Sequence, residues 1–130
     1  MITGIDHAAI PVRDMDQMLG FYQALGCTLD DELAPHLYAV RFGPNKINFH
    51  APRLWESGQF DLRGPAALPG CGDFCFVWES DQAALDAVLK KANAQIIEGP
   101  VERVGGRNEK GLSTYVRDPD GNLLEFIIYT

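Results

Sequence analysis

A chain of 130 residues with 46% hydrophobic and 22% charged residues can bury one compact core but is short for two ordinary domains. Its net charge of -7 disfavours a nucleic-acid partner, because phosphate backbones are held by Lys and Arg. Asp6, Arg13, Asp14 and Asp16 interrupt the first twenty residues, so neither a signal peptide nor a membrane span is expected there.

The first elements read as a strand over Ile5–Val12 and an amphipathic helix carrying Met15, Met18, Leu19, Tyr22 and Leu25 at helical spacing. Asp14 caps the helix, with Gln17 three residues on, and Gly26 supplies its left-handed stop. Strands are expected over 27–33, 37–42 and 46–51, separated by Ala34-Pro35 and by Gly43-Pro44-Asn45. The stretch from Pro52 to Pro69 has no clear period and reads as a connection whose Trp55 and Phe60 lie on the body of the protein.

The second half repeats the order. Phe74–Trp78 is an apolar run, Ser80 is the expected cap, and Leu85, Val88, Leu89 and Ala92 mark one helical face. A shift of 66 residues brings Gly4 onto Gly70, His7 onto Asp73 and Leu19 onto Leu85, the grammar of an internal repeat. Strands follow near 95–97, 112–117 and 122–129, and Asp118-Pro119-Asp120-Gly121 predicts a hairpin turn between the last two. The segment Arg103–Gly111, with Gly105-Gly106 inside it, reads as a mobile loop. Cys27, Cys71 and Cys75 are odd in number and lack C-x-x-C spacing, which reads as buried reduced thiols and a cytoplasmic address. The fold class is α+β in one domain over 1–130: a first module near 1–51, a linker near 52–69 and a second module near 70–130.

Strand parity sets His7 opposite the apolar side of the first strand, and Glu125 opposite Leu124 and Phe126 in the last. His50 ends Ile47-Asn48-Phe49-His50, with Asn48 on its own face. Two imidazoles and a carboxylate on one sheet face would suit a divalent transition metal, although spacing alone does not establish one and a lone strand histidine is more often a satisfied polar side chain. His36, beside Pro35, reads as surface.

Gly4-Ile5-Asp6-His7, Phe21-Tyr22-Gln23-Ala24-Leu25-Gly26 and the run Arg117–Phe126, which contains Asp118-Pro119-Asp120-Gly121-Asn122-Leu123-Leu124-Glu125, resemble the start and end signatures of the vicinal oxygen chelate superfamily of glyoxalases, bleomycin-resistance proteins and ring-cleaving dioxygenases. The resemblance spans essentially the whole chain. It is nearest to small glyoxalase-domain proteins through Arg41-Phe42-Gly43, Lys46–His50 and Glu98–Arg103. It implies paired βαβββ modules forming a curved, incompletely closed sheet with helices on the outside, arranged around a divalent metal (Zn, Ni, Fe or Mn), usually in a homodimer.

Carried over by position, the resemblance puts metal ligands at His7 and Glu125. A third falls near His50, provided the preceding turn differs by one residue between modules, since gapless superposition of Val40 on Val116 puts Glu125 on Phe49. Asp73 stands where the second module usually offers His, and reads equally as a ligand or as a strand-end hydrogen-bonding group. That departure weakens the ring-cleaving dioxygenase and thiol-transferase activities of the superfamily.

The expectation is therefore a metal-dependent lyase or isomerase of glyoxalase type, acting on a small molecule whose adjacent oxygens chelate the metal, with Glu125 or Asp73 as proton-transfer base. The rival readings are a catechol dioxygenase and a non-enzymatic protein that sequesters a cationic drug.

Overall fold

The computed structural model describes residues 1–130, in the order β1 (Ala8–Pro11), α1 (Met15–Ala24), β2 (Thr28–Asp30), β3 (Leu37–Phe42), β4 (Asn45–His50), α2 (Pro52–Trp55), β5 (Asp73–Val77), α3 (Gln82–Lys91), β6 (Glu98–Val104), β7 (Lys110–Arg117) and β8 (Leu123–Tyr129). Capping chemistry fixes where the long helices start. Asp14 accepts from the Gln17 amide at 3.1 Å ahead of α1, and Gly26 ends that helix with φ +103°. For α3 the cap is Asp81, which accepts from the Ala84 amide at 2.8 Å, and not the expected Ser80. The helix begins one residue later than the sequence suggested, so Asp81 is the residue within reach of an unpaired first-turn amide.

The strands form two four-stranded open sheets of identical plan, β1-β4-β3-β2 and β5-β8-β7-β6. In each the first strand runs parallel to the last, which demands a crossover, and α1 or α3 supplies it. The expected mobile loop over 103–111 is instead most of a hairpin: Arg103 pairs with Gly111 and Val104 with Lys110, leaving only 105–109 as a turn. Two glycines obscured the alternation there. Gly105 leaves room for the Tyr129 hydroxyl, into which a Cβ would run.

Fourteen buried residues drawn from α1, α3 and both sheets form one core that includes Phe49, Tyr22, Met18, Leu85 and Leu124. The α1 residue Tyr22 meets Phe49 edge to face at 5.3 Å, and Phe42 meets Phe76 across the modules at 5.2 Å. A polar lock crosses the same boundary. The Tyr22 hydroxyl donates to the buried Asp118 at 2.7 Å, Asn122 donates its amide to both Asp118 oxygens, and the Arg13 backbone amide donates to Asp120 at 2.7 Å. Burial pushes the Asp118 carboxyl up, and the bonds from Asn122 and Tyr22 oppose that shift. The turn 118–122 thus fixes the second module to the first as well as closing a hairpin.

The three cysteines form no disulfide, and the expected burial fails for two of them: Cys27 is half-buried, while Cys71 and Cys75 are exposed. Cys75 shares the outward side of β5 with Asp73 and Val77, opposite Phe74 and Phe76, which pack against the core. No helix is long and apolar enough to cross a membrane.

Candidate functional site

In the second module, Glu125 lies between the buried Leu124 and Phe126 and projects to the other side of the sheet. Its neighbours in register are Tyr115 on β7 and Cys75 on β5. The fully buried Ser113 donates its hydroxyl to Glu125 Oε1 at 2.5 Å. Arg103 Nε donates to the Tyr115 hydroxyl at 3.2 Å, with the guanidinium 5.7 Å from the Tyr115 ring centre and its far end on Glu98 at 2.9 Å. Desolvation, and then the Glu125 charge, push the Cys75 thiol up to about 12, so it remains protonated beside the carboxylate. Asp73 is exposed on the same side, opposite Leu123 and one pleat from Glu125.

In the first module, His7 precedes β1, is exposed, and contacts Asp6 at 2.8 Å through Nδ1. That contact holds the Asp6 carboxyl below its usual range. His50 lies on the corresponding side of β4 but is only 7% exposed, because the 52–69 connection folds over it. Phe60 meets the His50 ring edge-on at 5.3 Å, Arg63 sits 6.0 Å from the Trp55 ring centre, and Trp55 Nε1 donates to the Val12 carbonyl at 2.9 Å. Burial, and then the Arg63 charge, hold His50 below its ordinary value of 6.5, favouring the neutral imidazole.

Strand register separates the two histidines expected to share an ion. His50 pairs with Pro11, four residues beyond His7, which immediately precedes β1, an offset of about 13 Å at strand rise. His7 and Asn48, by contrast, lie one pleat apart. The turns explain the displacement. Between Arg41↔Lys46 lie four residues, and between Arg117↔Leu123 lie five. The one-residue difference that His50 required does exist, but in the opposite direction, so Glu125 superposes on Asn48. The parallel pairs agree, since Asn48 lies opposite Ala9 as Glu125 lies opposite Cys75.

Asn48 is 8% exposed and its Oδ1 is buried with no hydrogen-bond partner. Sequence reasoning placed Asn48 on the correct side of the strand without giving it a role, because only the lengths of the two turns reveal its equivalence to Glu125. Ser113 and Cys75 were findable by parity once β7 and β5 were placed against β8.

Within one chain no three His, Cys, Asp or Glu side chains converge as a metal cluster would require. The donors form two half-sets instead, His7 with Asn48 on one sheet and Asp73 with Glu125 on the other. β1 and β5 are both edge strands, and a groove of about 720 Å³ near them is lined by His7, Lys46, Phe42, Phe76, Cys75 and Glu79. The donor chemistry, imidazole nitrogen with carboxylate and amide oxygen, fits a divalent ion, and the orphaned Asn48 oxygen lacks a partner of the kind a cation would be.

The family model described as the Glyoxalase/Bleomycin resistance protein/Dioxygenase superfamily matches residues 4–126. The chain is 35% identical over 128 residues to the glyoxalase domain-containing protein RDO1 of Mycosarcoma maydis, covering 98% of this chain and 69% of that protein. The crystal structure of virulence protein STM3117 from Salmonella typhimurium, 33% identical, superposes with a TM-score of 0.88 over 100% of this chain and 99% of that one. An integron cassette protein from the mobile metagenome of V. cholerae, 30% identical, gives a TM-score of 0.87 over 100% of this chain and 98% of that one.

Proposed function

For a chain that belongs to the Glyoxalase/Bleomycin resistance protein/Dioxygenase superfamily, we propose a divalent-metal-dependent lyase or isomerase of glyoxalase type, active as a homodimer in which each site joins the first module of one copy to the second module of its partner. The observation that carries this reading is the internal symmetry of the half-sets: His7 superposes on Asp73 and Asn48 on Glu125, so two apposed modules would direct four donors toward one point. In this reading a second copy brings the two half-sets together, which one chain does not do. Exposed edge strands at β1 and β5 offer the place for it.

His7 from one copy and Glu125 from the other would hold the ion, with Asp73 beside them. The metal, when bound, supplies Lewis-acid polarisation to a substrate carrying adjacent oxygens. The chain's own part is positional and protonic. Ser113 fixes one Glu125 oxygen, Tyr115 braced by Arg103 borders the site, and the exposed Asp73 carboxylate can take a proton from a substrate carbon and return it to a neighbouring atom. His50, neutral beneath Phe60, is outside that exchange.

Elemental analysis after metal reloading tests the proposal. The expected result is about one divalent ion per chain in the wild type, with loss of binding in both His7→Ala and Glu125→Ala. A wild type that takes up none of Mn, Fe, Ni or Zn would sink it.

A further inference from the structure

Resting on the reading of Glu125 and Asp73 as the reacting end of the site, we propose that the substrate is an elongated anion whose far end, about 13 Å from Glu125, carries a carboxylate held by the Arg107 guanidinium at the tip of the β6–β7 hairpin.

The outward face of the second module changes character along its strands. Glu125 forms one rung with Cys75 and Tyr115, and the next rung, with Val77, Ile127 and Val101 beside Ser113, is mostly apolar. Tyr129 ends that face, four residues past Glu125 and on the same side, an offset of about 13 Å at strand rise. The hairpin tip folds against it. Gly105 lacks the Cβ that would strike the Tyr129 hydroxyl, and the Arg107 backbone amide donates to that hydroxyl at 3.5 Å. The Arg107 guanidinium then stands 4.4 Å from the Tyr129 ring centre. An acidic end, an apolar middle and a cationic end thus follow one another on a single surface.

The two arginines of this hairpin are used differently. Arg103 spends its donors inside the protein, Nε on the Tyr115 hydroxyl, Nη1 on the Glu102 carbonyl and Nη2 on Glu98. Arg107 forms no ion pair, and its side chain engages only the Tyr129 ring. A guanidinium stacked by its face keeps its N–H edge free, and that planar fork matches the two oxygens of a carboxylate. The ring also restricts where the cation can stand, which lowers the entropy lost when an anion docks. A cationic ligand would meet Arg107 as a like charge, so the same arrangement disfavours the sequestering of a cationic drug.

Calorimetry with three probes of roughly matching length tests this: suberic acid monohydroxamate, which ends in a carboxylate, octanohydroxamic acid, which ends in a methyl group, and the analogue ending in an ammonium. The protein is reloaded with the divalent ion that elemental analysis finds, or used metal-free if it finds none. The carboxylate probe is expected to bind at least about tenfold more tightly than the methyl probe, and the ammonium probe most weakly. Arg107→Gln should bring the carboxylate probe to the affinity of the methyl probe and leave the methyl probe unchanged. Lys110→Gln removes another cation of the hairpin, one paired with Glu102 at 3.3 Å, and should keep the preference intact. Equal affinities of the carboxylate and methyl probes, an equal loss in Lys110→Gln, a weakened methyl probe in Arg107→Gln, or no binding by any probe overturns the proposal. Failure of the parent reading is seen separately, as a wild type that takes up no divalent ion or as a Glu125→Ala protein that takes it up as wild type does.

Discussion

The two outward sheet surfaces share a plan and differ in how their polar groups are satisfied. In the second module Glu125 is bordered by Tyr115 and Cys75, takes a hydrogen bond from Ser113, and has exposed Asp73 nearby. In the first, the 52–69 connection covers the His50 end of the sheet through Phe60, and Asn48 keeps an oxygen with no donor. One half is built around a carboxylate held in place by neighbouring strands. The other holds neutral groups under a cover. Repetition of the βαβββ plan therefore fixed where side chains stand, while the connection and the turn lengths decided what surrounds them.

The sharpest break in the comparison lies in the turns. The 118–122 turn is locked by Asn122, which serves both Asp118 oxygens and accepts from the Gly72 amide at 2.7 Å. Asn122→Ala is expected to lower unfolding free energy by about 2–4 kcal/mol, because the buried Asp118 carboxylate loses the two bonds from the Asn122 amide and the Gly72 amide loses its acceptor. The shorter turn at Gly43-Pro44 has no such lock, and Pro44→Ala should change stability by less than about 0.5 kcal/mol. Urea unfolding of the two variants side by side checks the contrast.

A smaller effect tests the cover over the first module. Phe60→Ala is expected to cost about 1–2 kcal/mol of unfolding free energy through lost packing, and to raise the His50 value toward 6.5, as an NMR titration of the imidazole would record. The sign for wild type follows from the lowered value. As pH falls through 6.5 the unfolded chain takes up the proton first, so His50 erodes stability over that window until the folded-state value is reached. Phe60→Ala should flatten that slope.

Ser113→Ala removes one hydrogen bond to Glu125 and should cost about 1 kcal/mol of stability. Its metal affinity should fall while the far-ultraviolet circular dichroism spectrum stays unchanged. A loss of affinity with no loss of fold separates a positioning role for Ser113 from a packing one.

Much of the architecture was legible before any coordinates. Helical spacing with Asp14 and Gly26 marked α1, alternation and punctuation marked β3, and the 66-residue shift announced the repeat, because these are local or periodic signals that physical chemistry writes directly into sequence. The sides on which His7 and Glu125 stand followed from strand parity for the same reason. Three points were not legible. The Arg103–Gly111 hairpin was hidden because Gly105 and Gly111 face Tyr129 and Ile127 side chains from a distant strand, a reason for glycine that no local window contains. The exposure of Cys75 depended on which side of β5 the core would occupy.

Above all, the choice between Asn48 and His50 turned on one residue in a turn. Sequence determined that this chain would build two similar modules and carry His7, Asp73 and Glu125 on them. Tertiary structure alone decided which residue of β4 answers Glu125, because register is set by pairing between strands, and a shift of a single residue reverses the side of the sheet on which a group stands.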